Sequence, residues 1–221
     1  MSHLPCVEVD PTGETRASVI WLHGLGADGH DFEGVLPWLR LPADHGIRFV
    51  FPHAPSIPVT LNQGMVMPAW YDILEIDLAR RHDRDGILRS RESVRMLISR
   101  EVERGVPTSS IVLAGFSQGG AVALDTGLRF EEKLGGIMAL STYLVLEDEI
   151  DGERSTANAQ VPILQAHGTH DPMVPVTRGQ AARDQLTAMG YAVQWHEYPM
   201  QHEVCPDELV LIGVWLQELL G

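Results

Sequence analysis

Cysteine and lysine are scarce in this chain of 221 residues, and no apolar run is long. The two cysteines, Cys6 and Cys205, stand near opposite ends and form no C-x-x-C pair. That argues against a disulfide framework and favours a reducing, cytoplasmic setting. Lys133 is the only lysine, and Lys and Arg together number 16 against 30 Asp and Glu. The resulting net charge of −14 disfavours nucleic acid, which is bound chiefly through Lys and Arg contacts to phosphate. It equally disfavours adsorption to an anionic membrane, and its plain meaning is solubility. No stretch approaches the roughly 20 apolar residues of a membrane span, so no stable membrane insertion is expected. The first residues carry neither the basic segment nor the apolar stretch of a signal peptide.

The composition is that of a soluble globular protein, 44% hydrophobic and 21% charged. The length suits one domain, taken as residues 1–221. Short apolar runs at 17–22, 47–51, 111–114, 136–140, 162–166 and 192–198 alternate with helix-like stretches. That alternation predicts an α/β fold with a mostly parallel central sheet and helices on both faces. Ile87, Val94, Leu97, Ile98 and Val102 form one apolar stripe of a helix ending before Gly105. Helices are also expected at 118–130, at 176–189 before Gly190, and from Pro206 onward. The segment 52–76 fits neither pattern. Pro52, Pro55, Pro58 and Pro68 exclude regular helix over most of it, yet it holds Met65, Val66, Met67, Trp70 and Tyr71. Two readings stay open for it: a loop covering a substrate, or a packed crossover at the edge of the core.

The sharpest local signal is Gly115-Phe116-Ser117-Gln118-Gly119, a G-x-S-x-G pattern. A serine hydroxyl attacks poorly unless exposed and paired with a base. A sharp strand-to-helix turn exposes it, and glycines on either side let strand and helix approach. The surroundings fit, with an apolar strand before and Gly120-Ala121-Val122-Ala123 after. The backbone N–H of Gln118 then faces the place where an oxyanion would form.

In this arrangement an acid and then a histidine follow the serine in chain order. Asp171, in Gly168-Thr169-His170-Asp171-Pro172, and His202, in Met200-Gln201-His202, each follow an expected strand. That is the edge where open α/β sheets place their sites. Asp72 and His53 are rivals that precede the serine and break the order. His170 beside Asp171 suggests zinc only weakly, and no metal and no cofactor are expected. The glycine-rich His23-Gly24-Leu25-Gly26 makes the N–H of Leu25 the second oxyanion donor.

The chain resembles the acyl-protein thioesterase and lysophospholipase-type carboxylesterase family. The likeness rests on Leu22-His23-Gly24-Leu25-Gly26-Ala27-Asp28-Gly29, Pro52-His53-Ala54-Pro55 with Pro58-Val59-Thr60-Leu61-Asn62, the Ser117 segment, Gly168-Thr169-His170-Asp171-Pro172, and in part Met200-Gln201-His202. It spans nearly the whole chain, although Gln201 stands where the family often has glycine. The resemblance implies an α/β-hydrolase fold without a large cap domain. It implies Ser117, Asp171 and His202 as the triad, with Leu25 and Gln118 as oxyanion donors. Met65, Met67, Trp70 and Tyr71 become candidate substrate contacts. The expected activity is hydrolysis of short- to medium-chain carboxylic esters through an acyl-enzyme on Ser117. Acyl-protein thioesterase or lysophospholipase activity is the alternative, and a non-catalytic binding module on the same fold is a distant third. The expected partner is a small-molecule ester or acyl thioester, and many members of the family are homodimers.

Overall fold

A computed structural model describes residues 3–75 and 82–221. Its centre is a seven-stranded sheet built from β1 (Cys6–Val9), β2 (Ala17–Leu22), β3 (Ile47–Pro52), β6 (Ile111–Phe116), β7 (Gly136–Leu140), β8 (Ile163–Gly168) and β9 (Val193–Tyr198). Their spatial order is β1-β3-β2-β6-β7-β8-β9. Only β1 runs antiparallel to its neighbour; every other pairing is parallel. All residues of β2 and β7 are buried, which explains their unbroken apolar sequences: both faces are covered.

Helices α1 (Arg84–Glu103), α2 (Gln118–Arg129), the short α3 (Ile150–Glu153) and α4 (Val176–Ala188) bring side chains to one core cluster, with Ile87, Val94, Leu97, Ala121, Leu124 and Leu186 among them. Helix α5 (Pro206–Leu220) and a 3-10 helix at Glu33–Leu39 serve the other, where Leu39, Leu209, Ile212 and Leu216 meet Val19, Trp21 and Phe49. Gly213 lets these two elements touch, because a Cβ there would lie 1.7 Å from the Leu39 carbonyl oxygen.

Two expectations change. Val102 is 42% exposed, and Glu101 takes the inward position instead. At about 100° per residue, Glu101 lies nearer the centre of the stripe than Val102. Its carboxylate is accommodated by the Ser18 hydroxyl at 2.7 Å, Arg48 at 3.0 Å and Arg104 at 2.9 Å. The segment 52–76 is also more regular than its prolines suggest. Within it β4 (Ser56–Val59) and β5 (Met65–Pro68) form an antiparallel hairpin. Asp72 ties the returning chain to its turn, accepting from the N–H and hydroxyl of Thr60 at 2.7 and 2.5 Å. Residue 76 lies outside the described residues.

Lys133 sits in the connection from α2 to β7 and is exposed. It lies at the amino edge of the parallel strands, a helix length from Ser117. No helix among the described residues is long and apolar enough to cross a membrane.

Candidate active site

Ser117 stands between β6 and α2 with φ 53° and ψ −121°. A non-glycine residue is strained there, and the surrounding contacts hold it. The Ser117 N–H donates to the Leu140 carbonyl at 2.9 Å, and the Thr142 hydroxyl donates to the Ser117 carbonyl at 2.6 Å. The flanking glycines are required by contact. A Cβ on Gly115 would lie 2.3 Å from the backbone of Gly119, and one on Gly119 would lie 2.4 Å from the Leu22 carbonyl oxygen. Gly119 thus lets the helix start rest on the end of β2. Gly24 passes beside the serine, its missing Cβ 3.5 Å from that of Ser117.

The other two groups arrive from the carboxyl ends of β8 and β9. Gly168 allows this approach, since a Cβ there would lie 2.3 Å from the Gln201 carbonyl oxygen. His202 Nδ1 is 2.6 Å from Asp171 Oδ2, and its Nε2 is 2.9 Å from Ser117 Oγ. An ionised carboxylate only accepts, so Nδ1–H donates to Asp171. Nε2 is left to accept from the serine hydroxyl. The Asp171 side chain is wholly buried, and its Oδ1 accepts from the N–H groups of Met173 and Val174, both at 2.8 Å. The Phe116 ring packs against His202 at 4.7 Å between centroids.

No hydrogen bond among the described residues uses the N–H of Leu25 or of Gln118. Both remain available to a ligand beside the serine. A cavity of about 490 Å³ opens there, walled by Leu25, Leu61, Met67, Ile73, Tyr143 and Met173. Burial pushes the Tyr143 phenol up to about 12.

Of the proposed substrate contacts, only Met67 lines the cavity. Met65, next to the hairpin turn, is 64% exposed. Trp70 and Tyr71 are buried beneath the site. Their polar atoms are matched internally: the indole N–H donates to the His23 carbonyl, and the Tyr71 and Tyr143 hydroxyls pair at 2.7 Å. The rivals lie elsewhere, Asp72 on the chain returning from the hairpin and bonded to Thr60, and His53 accepting from the Gly29 N–H at 3.1 Å. Tyr143 and the wall residues Ile73 and Met173 were not anticipated. Tyr143 follows the end of β7 and Met173 follows Asp171, so both sit where loops leave the carboxyl edge of the sheet. That position was the available signal.

His167 is a further buried histidine, 3.7 Å from Asp171, with Nε2 donating to the Val174 carbonyl at 2.8 Å. Burial lowers its pKa, as it does that of His23. Among the described residues, no group of three His, Cys, Asp or Glu side chains is placed to hold a metal ion.

Comparison with known proteins bears on the family and the fold. The profile of the phospholipase/carboxylesterase family matches residues 5–220. Acyl-protein thioesterase 1 of Neurospora crassa is 42% identical over 229 residues, covering 100% of this chain and 94% of the relative. The crystal structure of Arabidopsis thaliana SOBER1 superposes with a TM-score of 0.87 at 31% identity, covering 94% of this chain and 100% of that one. Zea mays acyl-protein thioesterase 2 gives a TM-score of 0.87 at 30% identity, covering 99% and 100%. The fold is that of the α/β-hydrolases without a large cap domain, and its relatives are hydrolases. This chain belongs to the phospholipase/carboxylesterase family and is a serine hydrolase of the α/β-hydrolase superfamily.

Proposed function

We propose that the chain hydrolyses acyl thioesters, with carboxylic esters as a second substrate class, through an acyl-enzyme on Ser117. The observation that carries this is the unbroken line from Asp171 Oδ2 to His202 Nδ1 at 2.6 Å and from His202 Nε2 to Ser117 Oγ at 2.9 Å. It opens beside a cavity of about 490 Å³ with largely apolar walls. Ser117 Oγ bonds to the acyl carbon while its proton passes to His202 Nε2. The tetrahedral oxyanion is met by the N–H groups of Leu25 and Gln118. The bond to the leaving sulfur or oxygen breaks, and that atom takes the proton from His202. A water then repeats the sequence, giving its proton to His202 and releasing the acid.

The family resemblance read from the sequence places short- to medium-chain esters first. The names of the relatives, acyl-protein thioesterase 1 and 2, favour the thioester alternative. Cys6 and Cys205 are both free thiols, which suits a reducing cytoplasm. The test is a rate series on purified protein, from acetyl to palmitoyl esters, beside a peptide carrying a palmitoyl thioester on cysteine. Turnover of the thioester with rates rising toward long chains is expected. A strict preference for acetyl or butyryl esters overturns the thioester reading. Undiminished activity in S117A overturns the mechanism.

A further inference from the structure

Trp70 does not reach the cavity, yet its neighbours are the two elements that carry the candidate oxyanion donors. Its indole N–H donates to the His23 carbonyl at 2.9 Å, and its backbone N–H donates to Gln118 Oε1 at 2.9 Å. Gln118 completes the pairing by donating from Nε2 to the Tyr71 carbonyl at 2.7 Å. Two residues earlier in the chain, the Pro68 carbonyl accepts from the Gly26 N–H at 2.8 Å with only Ala69 between it and Trp70. His23 and Gly26 bracket Leu25. The segment 68–71 is therefore bonded to both sides of one donor and to the side chain of the residue that supplies the other. The Trp70 carbonyl is itself fixed by the Ser90 hydroxyl of α1.

We infer that Trp70 is a positioning residue that sets the separation of the Leu25 and Gln118 N–H groups. This rests on the assignment of those groups as oxyanion donors. The two donors belong to different connections, after β2 and after β6. Within the Leu25 loop itself the restraints are few: the Gly24 carbonyl accepts from the Ala27 N–H at 3.3 Å and from His23 Nδ1 at 2.7 Å, and neither bond reaches the Gln118 connection. Oxyanion donors act only when held about 2.7–3.1 Å from the developing charge, within roughly 0.5 Å of the productive geometry. A third segment that grips both connections supplies that placement, and Trp70 grips each through a different N–H. The side chain of Gln118 suits this role because an amide offers one acceptor and one donor to an extended backbone. The packing is tight as well: Trp70 is 2% exposed, and its ring lies 5.3 Å from the His23 ring.

The test uses W70F, which deletes the indole N–H and keeps an aromatic ring, and Q118M, which deletes the amide contacts and keeps the backbone N–H. For each, kcat and KM are measured with one ester. Binding is measured for an alkyl trifluoromethyl ketone, which forms a tetrahedral adduct, and for the matching alkyl ether, which cannot. Loss of alignment lowers kcat by roughly 10- to 100-fold with KM within about threefold. The ketone weakens by a similar factor while the ether is unchanged. A folded W70F with kcat and ketone affinity within about twofold of the parent overturns the inference, as does equal weakening of ketone and ether. If W70F does not fold, Q118M decides on the same readouts. S117A separates the two claims: activity lost there but kept in W70F removes the positioning role alone. Activity kept in S117A removes the serine mechanism and this inference with it.

Discussion

Asp171 holds His202 with one carboxylate oxygen and its own loop with the other. Oδ2 meets the imidazole at 2.6 Å, and Oδ1 accepts the N–H groups of Met173 and Val174 at 2.8 Å. The acid is therefore aimed by the backbone that follows it. In D171N an amide can present its N–H₂ to Nδ1, which forces the imidazole into the tautomer that cannot accept from Ser117. We expect kcat to fall by roughly 10³- to 10⁴-fold, with the far-UV spectrum unchanged. A loss below tenfold removes Asp171 from the mechanism.

Gly119 provides a sharper structural test. A Cβ there meets the carbonyl oxygens of Leu22 at 2.4 Å and His23 at 2.5 Å, neither of which can move without shifting β2. G119A should cost about 3 kcal/mol or more in urea denaturation and lose activity. Gly152 has nothing within 4 Å and no unusual φ, so G152A should fall within about 0.5 kcal/mol of neutral or stabilise slightly. Equal effects at the two sites would contradict this packing.

The buried carboxylate of Asp125 is held by two guanidinium groups, Arg91 at 2.7 Å and Arg129 at 2.8 Å. Removing Arg129 leaves Arg91 bonded to both Asp125 oxygens at 2.7 and 3.0 Å, so R129A should cost about 1.5–3 kcal/mol, the worth of a hydrogen bond to a charged group. The solvent-facing pair of half-buried Arg183 with exposed Asp184 at 2.7 Å should contribute under about 1 kcal/mol, read as the effect of D184A in the same denaturation series, which leaves Arg183 over the Trp195 ring.

Glu208 gives the protein a dependence on pH that lies outside catalysis. Burial raises its carboxyl to about 8, opposed by the bond from the Cys205 N–H. Between the ordinary value of 4.5 and about 8, the native chain holds a proton that the unfolded chain releases. Stability from this group is full below that window and falls as pH rises through it. E208Q should flatten the decline. Its unfolding free energy should gain on that of the parent from pH 5 to pH 8, by on the order of 1–3 kcal/mol. Parallel curves for the two proteins would show that Glu208 is not the source.

What the sequence disclosed follows from how local each signal is. The serine turn is legible because its glycines and small helix residues are contiguous, and the contacts of Gly115 and Gly119 are made within that turn and to β2. Asp171 and His202 were readable from strand order, since each follows a strand of the parallel sheet, β8 and β9. The strand β1 was missed because four residues, Cys6–Val9, are too few to show periodicity. The hairpin was hidden by Pro58 in β4 and by a turn in which Gln63 as well as Gly64 takes positive φ. Trp70 and Tyr71 illustrate the deeper limit. Large side chains in a proline-rich loop suggest a pocket wall, but the partners that draw these two inward, His23, Gln118 and Tyr143, lie 47 to 72 residues away.

The scarcity of lysine gains a practical meaning from where Lys133 stands. It is exposed in the connection leading into β7, at the amino edge of the sheet, while the Ser117 cavity opens at the carboxyl edge. Amine-directed coupling to a solid support has only this side chain and the terminal amine to react with. Attachment through Lys133 would present the cavity turned toward solution, so the immobilised enzyme should keep Ser117 open to bulky ligands without any engineered tag.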